Sequence, residues 1–154
     1  MGKVKQAYLC GPMEFAKDSG EGWRKKITPE LETMGYKVFD PTVKENVEAT
    51  TKELHECKKR GNWPRFIEVV SEIQRIDKIA VLESAILVVR WDTRIKCYGA
   101  SDEIRWALDR KIPIYSVIYG PISDESSWAV CKLKETKTFD NFTELIEGLK
   151  EGVK

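Results

Sequence analysis

The segment GASDEIRWALDRKIPIYSV, residues 99–117, sets two carboxylates, Asp102 and Glu103, at the opening of a predicted helix with an apolar strand directly behind it. Both acids could simply complement the partial positive charge of a helix N-terminus, an arrangement worth about 0.3 to 1 kcal/mol each. The same exposed N–H groups and dipole also favour an ionised carboxylate, the form that a nucleophile needs. A third acid stands where a hydrophobe is expected. Phe66, Val70 and Ile73 mark one face of another predicted helix, and four residues beyond Ile73 that face reaches Asp77. A carboxylate on a buried stripe needs a partner or a purpose: an ion pair, a stripe that has already ended, or an acid aimed into a crevice. Two inward carboxylates from different elements are the minimum equipment for cleaving a glycosidic bond through an oxocarbenium-like state.

Other candidates are more ordinary. Gly11-Pro12-Met13 is either a simple turn or a place where a backbone without a Cβ lets a ligand approach closely. It is not a GxGxxG fingerprint, and the chain carries no GK[ST] phosphate loop, which disfavours dinucleotides and triphosphates. Asp92 in RWDTR either pairs with Arg90 or Arg94 or faces a pocket, where it could hydrogen-bond a base edge or a ribose hydroxyl. Trp23, Trp91, Trp106 and Trp128 are core or rim aromatics by default, any of which could stack on a base. Arg24, Arg90, Arg94 and Lys96 could meet a phosphate or merely be solvated. His55 and Cys57 lie close in sequence, yet nothing nearby would orient them as a catalytic dyad.

The elements that must position these groups follow from hydrophobic period and turn chemistry. The run VKQAYLC, residues 4–10, reads as a buried strand ending at Gly11-Pro12. Trp23, Ile27, Leu31 and Met34 recur at helical spacing before Gly35, and YKVFDP is a second strand stopped by Pro41. Residues 42–62 mix charges with few large apolar groups and are expected to form a partly helical excursion or flap. Asn62 can cap the helix that begins near Pro64, and SAILVVRWD is the most hydrophobic strand. Gly99 and Ser101 open the next helix, IPIYSVIYG supplies a fourth strand, residues 136–139 a short fifth, and Phe142 to Leu149 a terminal helix. Alternating strands and helices imply parallel crossovers, hence a three-layer α/β fold with a five-stranded, mostly parallel sheet. In the flavodoxin-like, Rossmann-like order 2-1-3-4-5 the chain reverses direction between strands one and three. Ligands in such sheets bind at the carboxyl ends of the strands beside that reversal.

Composition narrows the class. The 154 residues fit one domain, 1–154, and are 33% charged and 42% hydrophobic, as expected of a soluble globular chain. Lys and Arg (26) nearly cancel Asp and Glu (25), so no global field favours a nucleic-acid polymer and a small molecule is the expected partner. No signal-peptide h-region and no apolar stretch of membrane-spanning length is apparent, so no membrane is expected. Cys10, Cys57, Cys97 and Cys131 lie far apart with a single histidine, which reads as reduced cytoplasmic thiols and no metal site.

The landmarks, in order, are YLCGPM, a helix, VFDP, a helix reaching Asp77, the strand AILVV, and GASDEIRWALDRKIPIY. This order resembles the nucleoside 2-deoxyribosyltransferases and the related nucleotide N-glycosidases. Their pattern of a glycine turn, a glutamate, a small-residue helix and a Lys/Pro strand entry falls on Gly99, Glu103, Ala107, Lys111 and Pro113. The resemblance implies that Glu103, and not Asp102, is the nucleophile and that Asp77, expected near its helix end, is the supporting acid. It implies a pocket wall of Tyr8, Gly11, Pro12 and Met13, with Gly99 and Ser101 near the sugar or phosphate. It further implies transfer or hydrolysis at the N-glycosidic bond of 2-deoxyribonucleosides or their 5'-monophosphates, with no cofactor. A homo-oligomer is implied too, with residues 128–142 contributing to a neighbouring site. The alternatives are a hydrolase of ribonucleotides or NAD-type glycosides, and an inactive nucleotide-binding module.

Overall fold

The computed structural model describes residues 2–43 and 47–152. Five strands, β1 (Gln6–Cys10), β2 (Lys37–Phe39), β3 (Ile86–Asp92), β4 (Ile114–Tyr119) and β5 (Lys137–Phe139), form one sheet in the order β2-β1-β3-β4-β5. Every pairing is parallel, and Tyr8 lies opposite Phe39 on one side and Leu87 on the other. The expected three-layer α/β fold with order 2-1-3-4-5 is therefore the observed one, the sheet being wholly parallel.

Six helices cover it: α1 (Glu21–Thr33), α2 (Val47–Arg60), α3 (Trp63–Glu83), α4 (Tyr98–Asp109), α5 (Ser127–Lys134) and α6 (Phe142–Gly152). Because successive strand side chains point to opposite faces, the central strands fill two separate cores. Ala7, Leu9, Ile86 and Val88 meet Ile27 and Leu31 of α1 and Leu145, Ile146 and Leu149 of α6. On the other face Tyr8, Cys10, Leu87, Val89 and Trp91 meet Ala80 and Val81 of α3, Ala100, Ile104 and Ala107 of α4, and Ala129 and Leu133 of α5.

Local chemistry fixes the ends. Asn62 accepts from the Arg65 amide at the start of α3, and Ser126 does the same for Ala129 in α5. The turn into α1 is stricter. Gly20 has φ +81°, and a Cβ there would collide with the Arg24 guanidinium and the Pro12 carbonyl, so the position demands glycine on conformational and steric grounds.

The segment expected at 42–62 to be a partly helical excursion or flap holds one long helix. Most of it is α2, a regular helix packed along α3, with Cys57 as its buried residue; residues 44–46 lie outside the described set. Its apolar stripe is too thin to read from periodicity, because α2 covers another helix and not the sheet. Among the described residues no helix is long and apolar enough to cross a membrane.

Candidate active site

Glu103 lies at the sixth position of α4, whose inward face is Ala100, Ile104 and Ala107. That face packs against β1, so the carboxyl is delivered to the strand's carboxyl end and is only 8% exposed. Tyr8 and Cys10, two residues apart on β1, point to the same side and meet it. The Tyr8 hydroxyl donates to Glu103 Oε2, and the Cys10 thiol lies 3.6 Å from Glu103 Oε1 and 3.6 Å from the Ala100 carbonyl. Tyr8 is itself fully buried and stacked on Phe39 of β2, with ring centroids 5.3 Å apart and planes 10° from parallel.

This burial overturns one expectation. Helix α4 begins at Tyr98 with Cys97 as its cap, so Glu103 belongs to the second turn, beyond the reach of the N-terminal dipole. Asp102 is exposed beside it. Burial pushes Glu103 up to about 8, and the Asp77 carboxylate pushes in the same direction. The Tyr8 hydrogen bond, the Arg24 guanidinium and the Cys10 thiol oppose the rise. Tyr8 and Cys10 are raised as well, first by burial and then by the charge of Glu103, so both remain protonated donors.

Asp77 is half-buried and lies on α3, where Ala80 and Val81 continue the buried face to the helix end at Glu83. The stripe has not ended at Asp77, and the acid stands six residues before the helix terminus instead of at it. Its charge acts on Glu103 and Tyr8, so two carboxyls from different helices share one environment on this side of β1.

The other expected residues scatter. Gly11 and Pro12 are buried in the turn directly after Cys10, and Met13 is half-buried beside them. A Cβ on Gly11 would stand 2.9 Å from the Arg90 carbonyl and 3.0 Å from the Trp23 ring, so its lack of side chain serves packing. Asp92 is buried at the end of β3 on the opposite sheet face, held by Arg94 at 3.0 Å through both carboxylate oxygens and by Arg90 at 4.0 Å. The Arg94 hydrogen bonds keep it below the ordinary carboxylate range. Ser101 receives the ammonium of Lys132 from α5, and Gly99 is exposed without a close neighbour.

A cavity of about 580 Å³ opens at the β1–β3 reversal and is lined by Pro12, Phe15, Trp23, Arg90, Asp92 and Arg94 among others. It lies on the α1 side, with Pro12 in its wall, whereas Tyr8 and Glu103 lie on the α4 side. Of the tryptophans, Trp23 lines this cavity and stacks on Phe142, Trp91 is core with its indole N–H on Glu125, Trp106 is half-buried under Lys78, and Trp128 is 84% exposed. His55 is exposed and Cys57 buried, and two residues apart on a helix they face away from each other, which removes the dyad.

Two site residues escaped the sequence reading. Arg24 is fully buried, donating to the carbonyls of Leu9 (3.3 Å), Gly11 (3.0 Å) and Gly20 (2.7 Å), with Asp40 at 3.8 Å. It is therefore the internal strut of the loop after β1, not a surface cation waiting for phosphate. The spacing 24, 27, 31 already placed it on the helix face of Ile27 and Leu31. Cys10 was a generic thiol, although its i, i+2 relation to Tyr8 put both on one strand face. Among the described residues no cluster suited to a metal ion is present, and the four cysteines are free. No protein-family model and no curated protein sequence matches the chain.

Proposed function

We propose that the protein breaks the N-glycosidic bond of 2-deoxyribonucleosides or their 5'-monophosphates, with Glu103 forming a covalent deoxyribosyl ester and a second base or water releasing the sugar with net retention. The observation that carries this reading is the Glu103 carboxyl, buried at the carboxyl end of β1, hydrogen-bonded by Tyr8, and raised first by that burial and then by the charge of Asp77. The order of landmarks that resembles the deoxyribosyltransferases points to the same glutamate. A retaining pair works with its carboxyls about 5 to 5.5 Å apart.

The raised titration of Glu103 changes how the first step is written. Near neutral pH the buried Glu103 carboxyl, raised to about 8, holds a proton. As substrate binds, that proton passes to Asp77 and from it, directly or through water, to the leaving base. A Glu103 oxygen forms its bond to C1 of the sugar as the bond from C1 to the base nitrogen breaks, and that electron pair leaves on the base, which takes the proton. One proton and one electron pair balance the step with no external acid. The absence of a 2'-hydroxyl eases the developing cation, since one electron-withdrawing oxygen is missing beside it. The second half runs in reverse with an incoming base or water. The chain works as a homo-oligomer in the cytoplasm under this reading, with residues 128–142 offered to a neighbouring site.

The test is incubation with deoxycytidine, deoxyadenosine, their monophosphates, ribonucleotides and NAD, each with and without acceptor base, followed by chromatography of released bases and intact-mass analysis. Base release from a deoxyribosyl substrate with a sugar adduct on Glu103 is expected. Release only from ribosides or NAD would replace the substrate class, and binding without any release would make the chain a nucleotide-binding module.

A further inference from the structure

The two oxygens of Glu103 face unequal donors, the Tyr8 phenol and a Cys10 thiol whose single proton also has the Ala100 carbonyl at the same distance, and the glycosyl reading above uses only the first. Cys10 is completely buried, its thiol stays protonated, and its two polar neighbours are Glu103 Oε1 and the Ala100 carbonyl, each at 3.6 Å. The Tyr8 hydroxyl takes Oε2. A phenol is a strong donor and a thiol a weak one. A strong donor localises charge on the oxygen it holds and lowers its nucleophilicity, whereas an oxygen facing a thiol keeps its lone pair available at little cost.

We propose that Cys10 is a positioning residue that makes Oε1 the attacking oxygen of Glu103, while Tyr8 retains Oε2 as the carbonyl oxygen of the ester. This rests on the proposed glycosyl chemistry for its second half and on the unliganded geometry alone for its first. On attack, Oε1 forms the C1–O bond, the C1–N bond breaks toward the base, and the Cys10 S–H keeps its proton throughout. The strand supplies the discrimination: residues 8 and 10 share one face of β1, so a single backbone segment presents both donors to one carboxyl. A mere filler at position 10 would need no donor.

The first arm of the test needs no substrate. Carbon-13 NMR of glutamate-labelled protein follows the titration of Glu103 in wild type, Cys10→Ala and Tyr8→Phe. Both donors favour the ionised carboxylate, so both substitutions are expected to raise the titration, Tyr8→Phe by more. An unmoved titration in a folded Cys10→Ala protein would reduce Cys10 to packing. Should that variant fail to fold, Cys10→Val fills the space without a donor and carries the same measurement. The second arm reads the trapped ester by isotope-edited infrared spectroscopy. The ester carbonyl stretch is expected to shift in Tyr8→Phe and to stay in Cys10→Ala, with kcat of Cys10→Ala reduced about tenfold and KM nearly unchanged. The opposite pattern of carbonyl shifts overturns the assignment of oxygens. If no ester forms with any member of the substrate panel, the glycosyl reading falls together with that assignment, while the titration arm still decides whether Cys10 holds the carboxyl.

Discussion

Tyr8 and Glu103, 95 residues apart in the chain, share a hydrogen bond beneath the protein surface at the carboxyl end of β1. The contact joins the first strand to the fourth helix, so it forms only when β3 has been inserted beside β1 and α4 has folded back over them. Neither group can be solvated instead, since Tyr8 is fully buried and Glu103 nearly so. A carboxyl in that position is costly to ionise, and the fold keeps it next to a second acid when a hydrophobe would fit the same space.

That cost sets a pH signature for stability. Glu103 titrates at about 8 in the fold against an ordinary 4.5, so between those values the folded chain binds the extra proton. A raised acid contributes its stabilisation fully below the unfolded value and loses it as pH climbs through the folded one. The unfolding free energy is therefore expected to fall from about pH 5 to pH 8.5 by at most on the order of 4 kcal/mol. Glu103→Gln should flatten that slope, stay folded, and lose base release by on the order of 10³-fold or more. A slope unchanged in the variant would show that Glu103 is not the titrating group.

The two neighbouring acids should behave differently. Asp102 is exposed, so Asp102→Asn is expected to alter rates by less than about threefold, as surface substitutions away from a site do. Asp77→Asn removes a charge that raises Glu103, so the Glu103 titration should move down while turnover falls by on the order of 10²-fold. Downward movement with normal turnover would leave Asp77 an electrostatic neighbour without a part in proton delivery. Equal losses at Asp77 and Asp102 would contradict the burial of one and exposure of the other.

A protonated resting Glu103 also predicts the shape of the rate profile. If Glu103 must begin protonated, kcat/KM holds level below neutrality and descends as pH passes about 8, where Glu103 loses its proton. A nucleophile that had to be ionised beforehand would instead give a rate rising through the same region. Measuring kcat/KM from pH 6 to 9.5 separates the two, and Asp77→Asn should carry the inflection to lower pH.

How far the sequence anticipated this arrangement depends on what each residue packs against. The apolar runs of β1 and β3 are buried on both faces, so they announce themselves, and alternation with helices leads to the parallel sheet; its order is the common one for five such strands and is not dictated by the residues. Asp77 interrupts an otherwise apolar stripe, and that interruption was visible. The helix α2 was visible only as a partly helical charged stretch, because it packs on another helix through few apolar groups. Glu103 could be found but its charge state could not: it turned on α4 starting as early as Tyr98, which carries Glu103 past the first turn, and on burial that only the assembled sheet supplies. Arg24 was hidden by its residue type, since a long cation at helical spacing with Ile27 and Leu31 normally reads as solvated.

Arg24 gives the sharpest structural prediction. Its guanidinium satisfies the carbonyls of Leu9, Gly11 and Gly20 at once, and these frame the turn that follows Cys10. Burial lowers its own titration while Cys10, Asp40 and Glu103 raise it, so the ion is held by its surroundings and not by exposure. Arg24→Met fills much of the volume but leaves three buried carbonyls without that donor and takes the cation from Asp40. Chemical denaturation should show a loss on the order of 3 kcal/mol. Arg24→Lys, which keeps the charge but not the planar fork, should recover only part of it. Because Arg24 lowers the Glu103 titration, the methionine variant should also raise it. Full stability in Arg24→Met would show that the loop after β1 is held by Asp18 and its backbone contacts to Gly20 and Gly22, with the buried cation dispensable.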